Sequence, residues 1–234
     1  MDEMEALLHR GLTELHLPET AAEPMARYAR LLLETNQVMN LTAITDPTDV
    51  AALHFLDSAA LLTLADFQNK SVADVGTGAG FPGLPLRIAE PSIRLTLLDA
   101  QGKRVRFLET VCRELGLDDV ECVHGRAEEL AAERRESFDI VTSRAVAALP
   151  ILAELCLPLV KAGGYFLAMK SVDSDAELDS ARRALEILGG RVEALRDYQI
   201  PGTDVRHRLV LIKKFRPTPE KYPRMFAKIK KNPL

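Results

Sequence analysis

The densest chemical signal in the chain is the run Asp74-Val75-Gly76-Thr77-Gly78-Ala79-Gly80-Phe81-Pro82-Gly83. Its glycines let the chain turn sharply and bring bare backbone against a ligand. The run follows a β-branched stretch, Ser71–Val75, and opens an apolar stretch of helical spacing, Leu84–Ala89. A strand, a glycine turn and a helix start, in that order, gather unpaired N–H donors at the carboxyl edge of a sheet, where wound α/β folds hold ligands. Downstream, Asp99 ends a second apolar stretch, Leu97-Leu98-Asp99. A carboxylate there is placed to accept hydrogen bonds from both hydroxyls of a ribose.

Two cofactor classes use such a loop. Gly78–Gly83 spells the GxGxxG of dinucleotide sites. Asp74, just ahead of the glycines, fits instead the (D/E)xGxGxG of S-adenosylmethionine-dependent methyltransferases, in which the acid meets the ammonium of the cofactor. Asp99 suits both classes, and nothing downstream is arranged for hydride transfer. The loop therefore favours methyl transfer and leaves a nicotinamide-dependent oxidoreductase as the alternative.

Other candidates are weaker. Lys103-Arg104 with Arg106 either binds phosphate or begins a solvated helix. His54 and Asp57 are three apart on one expected helix and are placed to pair with each other. Cys112, Cys122 and Cys156 are odd in number and lack a CxxC spacing, so neither a disulfide framework nor a metal site is expected. Each reads as a packing residue.

The elements that must position these residues follow from periodicity. Met4, Leu7, Leu8, Leu12 and Leu15 recur at helical spacing, and Leu17-Pro18 closes that helix. Thr20 with Glu23 predicts a capping box for a second helix running towards Val38. A third is expected over Val50–Leu64, after the Asp46-Pro47 turn, with Asn40-Leu41-Thr42 building the turn between. From Ser71 onward, strands at Ser71–Val75, Arg94–Asp99, Val120–Val123, Phe138–Thr142 and Tyr165–Met169 alternate with helices at Leu84–Ala89, Val105–Leu115, Leu149–Val160 and Ala176–Leu188. This alternation implies a mostly parallel sheet. Two last strands, Val192–Ile200 and Leu209–Ile212, are joined too closely for a crossover and predict an antiparallel hairpin. The expected fold is a class I (Rossmann-like) methyltransferase sheet at residues 69–214, a helical extension at 1–68 and a basic tail at 215–234.

Composition agrees with one α/β domain and its extensions: 234 residues, 47% hydrophobic and 27% charged. The longest apolar stretch, 151–160, is broken by Glu154 and Pro158, and no membrane span is expected. The start, MDEME, lacks the features of a secretory signal, so a cytoplasmic setting is expected. The net charge of −4 is unevenly spread. Arg206-His207-Arg208 and the tail lysines Lys221, Lys228, Lys230 and Lys231, with Arg224, concentrate positive charge at one end, the pattern of a contact with nucleic-acid phosphates.

In order and spacing, DVGTGAGFPGLPL (Asp74–Leu86), LLDAQGKRVRFL (Leu97–Leu108), GRAEE (Gly125–Glu129), SRAVA (Ser143–Ala147) and MKS (Met169–Ser171) resemble the bacterial RsmG family, also called GidB. NLTAITDP (Asn40–Pro47) and HFLDS (His54–Ser58) extend the likeness, which covers residues 36–214. The resemblance implies transfer of the methyl group of S-adenosylmethionine to N7 of one guanine in 16S ribosomal RNA, free or in the small subunit; separately, the protein is expected to act as a monomer. It places Gly76 and Phe81 in the cofactor pocket, with Gly78 and Gly80 shaping the loop. Asp99, Ala100 and Gln101 would meet the ribose, Ala127 and Glu128 would flank the adenine, and Arg144 would face the target base. The resemblance favours RNA contact for Lys103, and the positive charge of the Arg206-His207-Arg208 segment leads to the same expectation for Arg208. Guanine N7 already carries an in-plane lone pair, so alignment matters more than a general base. N7 and O6 form the acceptor pair that arginine or lysine reads. With N7 reacting, Arg144 or Lys170 is expected on O6 or on a flanking phosphate. Ser171 stands where the family pattern has glycine. No Asn/Asp-Pro-Pro-Tyr/Phe string follows the fourth strand, and no cysteine sits after Pro or Thr, so adenine amino-group and pyrimidine C6-attack chemistries lack their motifs.

Overall fold

The structure is a computed structural model that describes residues 2–144 and 147–234. Ala145 and Val146, inside the SRAVA string, lie outside the described residues. The first helices are α1 (Glu3–Glu14) and α2 (Ala22–Met39), followed by a nearly continuous run: α3 (Pro47–Val50), a π-helical turn (Ala51–Leu56), α4 (Asp57–Ala59) and α5 (Leu61–Leu64). The wound part is β1 (Ser71–Val75), α6 (Gly83–Ala89), β2 (Arg94–Asp99), α7 (Gly102–Leu115), β3 (Glu121–His124), α8 (Ala127–Glu133), β4 (Phe138–Arg144), α9 (Leu149–Cys156), β5 (Val160–Ser171) and α10 (Asp175–Leu188). The hairpin is β6 (Gly190–Gln199) and β7 (Arg206–Lys214), and α11 (Phe226–Lys231) lies near the end.

These strands form one sheet in the order β3-β2-β1-β4-β5-β7-β6. All pairs from β3 to β5 are parallel, and β7 runs antiparallel between β5 and β6. This is the expected wound sheet closed by a hairpin. Strand order reverses between β1 and β4, the crevice where such sheets hold ligands.

Alternation along each strand feeds two cores. Val72, Leu97, Ile140, Leu167 and Leu209 face α1, α2, the π-helical turn, α6 and α7. Ala73, Leu98, Val141, Phe166 and Val210 face α8, α9, α10 and α11. The N-terminal helices are thus one whole layer of the domain.

Three local expectations change. The Thr20–Glu23 capping box does not form: Glu19–Ala21 is a 3-10 turn and α2 begins at Ala22 without a side-chain cap. The third helix begins earlier than expected, at Pro47, because Asp46 accepts the amides of Thr48 and Asp49 at 2.9 and 3.1 Å. Helix α8 lies in a stretch read only as a motif. At the far end, the basic tail is docked. The buried carboxylate of Glu154 accepts Arg224 Nε and Nη2 at 2.8 and 2.6 Å, and Tyr222 and Ile229 are buried. Lys214 is fully buried, its Nζ 3.0 Å from Glu136.

Candidate active site

The glycine loop is built around Asp74. Its side chain is fully buried; Oδ2 accepts Thr77 Oγ1 at 2.7 Å and the Gly83 amide at 3.0 Å, and Oδ1 accepts Thr142 Oγ1 at 3.2 Å. Burial pushes its pKa up to about 6, against the pull of those donors. Asp74 therefore ties the loop, the first residue of α6 and β4 together from beneath, and it does not line the cavity above. Gly76, Gly78 and Gly80 have φ of 69°, 63° and 100°, a region closed to most side chains. Gly80 faces inward, where an added Cβ would strike the Tyr28 hydroxyl and Leu84. Tyr28, from α2, donates to Ala79 O and stacks on Phe81 at 5.5 Å. The helical layer thus pins the loop from the outside.

Above the loop is a cavity of about 440 Å³, lined by Leu41, Thr42, His54, Gly76, Thr77, Gly78, Ala79, Phe81, Asp99, Ala100, Gln101, Arg104 and Arg144. Asp99 accepts the Gly78 amide at 3.0 Å and the Gln101 amide at 2.8 Å, one on each oxygen, with Arg104 Nη1 at 3.5 Å. Each carboxylate oxygen has further lone-pair capacity for a ribose hydroxyl. A Cβ on Gly78 would meet nothing within 4 Å, so the loop backbone faces open space there.

A second cavity, of about 490 Å³, adjoins the first and shares His54 and Arg144 with it. Its other lining residues are Ile44, Leu53, Asp57, Met169, Lys170, Ser171, Val205 and His207. The shared wall is a chain of hydrogen bonds. Arg144, at the end of β4, donates Nη1 to Leu53 O at 3.0 Å and to Asp57 Oδ2 at 3.3 Å, while Nη2 meets His54 Nδ1 at 3.0 Å. Because a guanidinium only donates, His54 Nδ1 accepts, and the ring proton resides on Nε2, 2.7 Å from Thr42 Oγ1. Burial and the Arg144 charge hold the His54 pKa down at about 4, so the ring stays neutral. It stacks on Phe81 at 4.7 Å. Asp57 is fully buried, and its Oδ1 accepts Tyr198 Oη at 2.7 Å and His207 Nδ1 at 2.9 Å. His54 and Asp57 do not pair with each other as expected; Arg144 stands between them.

Residues 21–206 match the family described as rRNA small subunit methyltransferase G, GidB. The chain belongs to that family. Curated relatives named ribosomal RNA small subunit methyltransferase G include one from Acetivibrio thermocellus, 44% identical with both chains covered completely. Another, from Alkaliphilus oremlandii, is 45% identical over 99% of each chain. Among solved structures, a SAM-dependent methyltransferase from Aquifex aeolicus aligns over 74% of this chain and 96% of its own, at TM-score 0.53 and 19% identity. M. jannaschii TYW2, solved in complex with AdoMet, aligns over 63% of this chain and 70% of its own, at TM-score 0.52 and 13% identity. These likenesses show the class I methyltransferase fold.

Of the residues predicted to bind the cofactor, Gly76, Gly78, Phe81, Asp99, Ala100, Gln101 and Arg144 line the first cavity. Ala127 and Glu128 lie off its lining; the Glu128 carboxylate accepts the Phe226 amide at 3.1 Å, joining α8 to the tail. Lys170 lines the second cavity, but its Nζ is bonded to Glu177 Oε1 at 2.6 Å and Ala147 O at 2.9 Å. Arg208 is held by Asp197 and Asp175. Lys103 is exposed, with Nζ 3.2 Å from Met39 O. Ser171 lies in regular strand pairing with His207, so the backbone there has no need of glycine. Missed from sequence were Tyr28, Tyr198, His207 as an Asp57 partner, and Thr42 as a His54 partner. The one usable signal lay in and just before the NLTAITDP string: Asn36 accepts the amides of Leu41 and Thr42, and Asn40 adopts φ 49°, which aims Thr42 at His54.

Proposed function

We propose that this chain transfers the methyl group of S-adenosylmethionine to N7 of one guanine in 16S ribosomal RNA, acting as a monomer on the RNA or the small subunit. The observation that carries this reading is the wall between the two cavities. Among the described residues, both nitrogens of His54 and both oxygens of Asp57 have partners, and of the histidines on the second cavity it is His207 that keeps a nitrogen, Nε2, open. His54 and Asp57 therefore offer no free base at the boundary between the cavities. Guanine N7 needs none, because its lone pair lies in the ring plane.

The first cavity fits the cofactor. Its volume is within the ~300–1,000 Å³ range of small-molecule sites, Asp99 would hold the ribose, and the open backbone at Gly78 admits close approach. S-adenosylmethionine supplies an electrophilic methyl group carried on a sulfonium. What the chain supplies is alignment. Arg144 and His54 act as positioning residues that fix the boundary between cofactor and base. Ile44, Leu53, Met169 and Val205 give the second cavity apolar walls suited to a flat base. Lys103 and the exposed Lys228, Lys230 and Lys231 contact phosphates. These add affinity without sequence information, each raising the salt slope by roughly 0.7–0.9. Among the described residues no helix is long and apolar enough to cross a membrane, in keeping with a cytoplasmic substrate.

The test is transfer of labelled methyl to small-subunit particles from cells lacking this gene, followed by nucleoside mass analysis. One 7-methylguanosine per particle is expected. Cofactor binding without transfer to particles or their RNA would overturn the substrate assignment.

A further inference from the structure

The polar side chains around the second cavity are not equally available. Arg144 is committed to Leu53 O, Asp57 and His54, and Lys170 to Glu177 and Ala147 O. His54 and Asp57 are fully engaged. His207 is different: its Nδ1 is fixed on Asp57 at 2.9 Å, the one hydrogen bond its ring makes among the described residues, which leaves Nε2 open. The ring stands on β7, inside the hairpin, with its orientation set by a buried carboxylate that the Tyr198 hydroxyl also braces. A fixed ring with one open nitrogen on an apolar-walled cavity has the attributes of a base-reading group.

We propose that His207, as an imidazolium, reads the target base by donating Nε2–H to O6 of the guanine, and so sets guanine specificity. This rests on the function proposed above. O6 is the acceptor next to N7 on the same edge, and adenine carries a donor amino group there. A donor that reads O6 leaves the N7 lone pair untouched. Asp57 accepting at Nδ1 holds one proton on the ring in either charge state, so the Nε2 proton requires the cation. The groups facing His207 are Asp57 from the helical layer, Tyr198 from β6, Arg144 from β4 and Ser171 opposite on β5. The hydrogen bond to Asp57 raises the His207 pKa, partly opposed by burial and by Arg144. Arg144 and Lys170, expected from sequence on O6 or on a flanking phosphate, are already bonded to Leu53 O, Asp57 and His54 and to Glu177 and Ala147 O, which leaves O6 to His207 in this proposal.

The experiment compares small-subunit particles reconstituted with guanine or with 2-aminopurine at the target; 2-aminopurine keeps N7 and lacks O6. For the wild type, replacing guanine is expected to lower kcat/KM by about 10- to 100-fold, the span of one hydrogen bond to a charged group. His207→Ala is expected to lose a similar factor on guanine and to show little further loss on 2-aminopurine. His207→Arg keeps a permanent cationic donor. It is expected to restore guanine preference and to abolish the fall in kcat/KM that the wild type shows as rising pH deprotonates the ring. Full discrimination by His207→Ala, or an alkaline fall unchanged in His207→Arg, overturns the proposal. A wild type that methylates RNA at another atom, or not at all, overturns the functional reading itself.

Discussion

Asp74 and Asp57 are both fully buried carboxylates beside the active site, and they are held by opposite means. Asp74 is surrounded by neutral donors, two threonine hydroxyls and one amide, and its pKa rises to about 6. Asp57 receives a guanidinium, an imidazole and a phenol hydroxyl. Dipoles suffice where a carboxylate organises a loop that stays put. Where it joins the helical layer to β4, β6 and β7, charged partners supply stronger bonds, and losing one is correspondingly costly. The largest expected effect is therefore Arg144→Ala. It strands buried Asp57 and leaves His54 Nδ1 without a donor. Chemical denaturation should show a loss of about 3–5 kcal/mol, with methyl transfer abolished. A loss below about 1 kcal/mol would place Asp57 and Arg144 among pairs that water already compensates.

Asp99 is the intermediate case, a nearly buried carboxylate whose remaining acceptor capacity faces a cavity. Asp99→Asn turns one acceptor into a donor that opposes the Gly78 or Gln101 amide. S-adenosylmethionine affinity by calorimetry should fall about 10- to 100-fold. Wild-type affinity in this variant would remove Asp99 from the cofactor site.

Asp74 sharpens the comparison through pH. Its folded pKa, about 6, exceeds its unfolded value, 3.8. The folded state therefore binds this proton more tightly, and the contribution of Asp74 to stability is fully present below pH 4 and is lost as pH rises through 6. Relative to Asp74→Asn, the wild type should lose roughly 1–3 kcal/mol between pH 4 and pH 7. A flat difference across that window would mean that the neighbouring donors fully offset burial.

The two carboxylates also mark what a sequence can convey. Asp74, the glycines and Asp99 were legible because strand, turn and helix start are contiguous, and each residue type answers a local need. Asp57 was legible as part of a helix but not as a hub. Its partners Arg144, Tyr198 and His207 lie 87, 141 and 150 residues away. Periodicity tells which face a residue occupies, not what stands opposite it. Lys170 and Arg208 were read correctly as cations near strand ends, yet Glu177, Asp175 and Asp197, on neighbouring elements, hold them. Helix α8 was missed because its apolar residues are alanines around a single leucine, Leu130, and form no marked apolar stripe. The charge-dense tail read as a phosphate-contacting end, while its apolar residues, Tyr222 and Ile229, dock it on α9 beside buried Glu154.

The smallest effect tests how the helical layer reaches the first cavity. It does so through a neutral bond, Tyr28 Oη to Ala79 O, rather than through an ion pair. Tyr28→Phe keeps the ring stacked on Phe81 and edge-on to Phe55, and removes only the hydroxyl. The Ala79 carbonyl is then left without its donor in a buried setting, a change of about 1 kcal/mol in stability. Because the ring still fills its place, the loop keeps its shape, and cofactor affinity should weaken only a few-fold. Loss of cofactor binding as large as that in Asp99→Asn would mean that the hydroxyl, and not the stacked ring, sets the loop. The two cavities would then depend on the helical layer to the same degree, and the contrast between dipolar and ionic anchoring would fail.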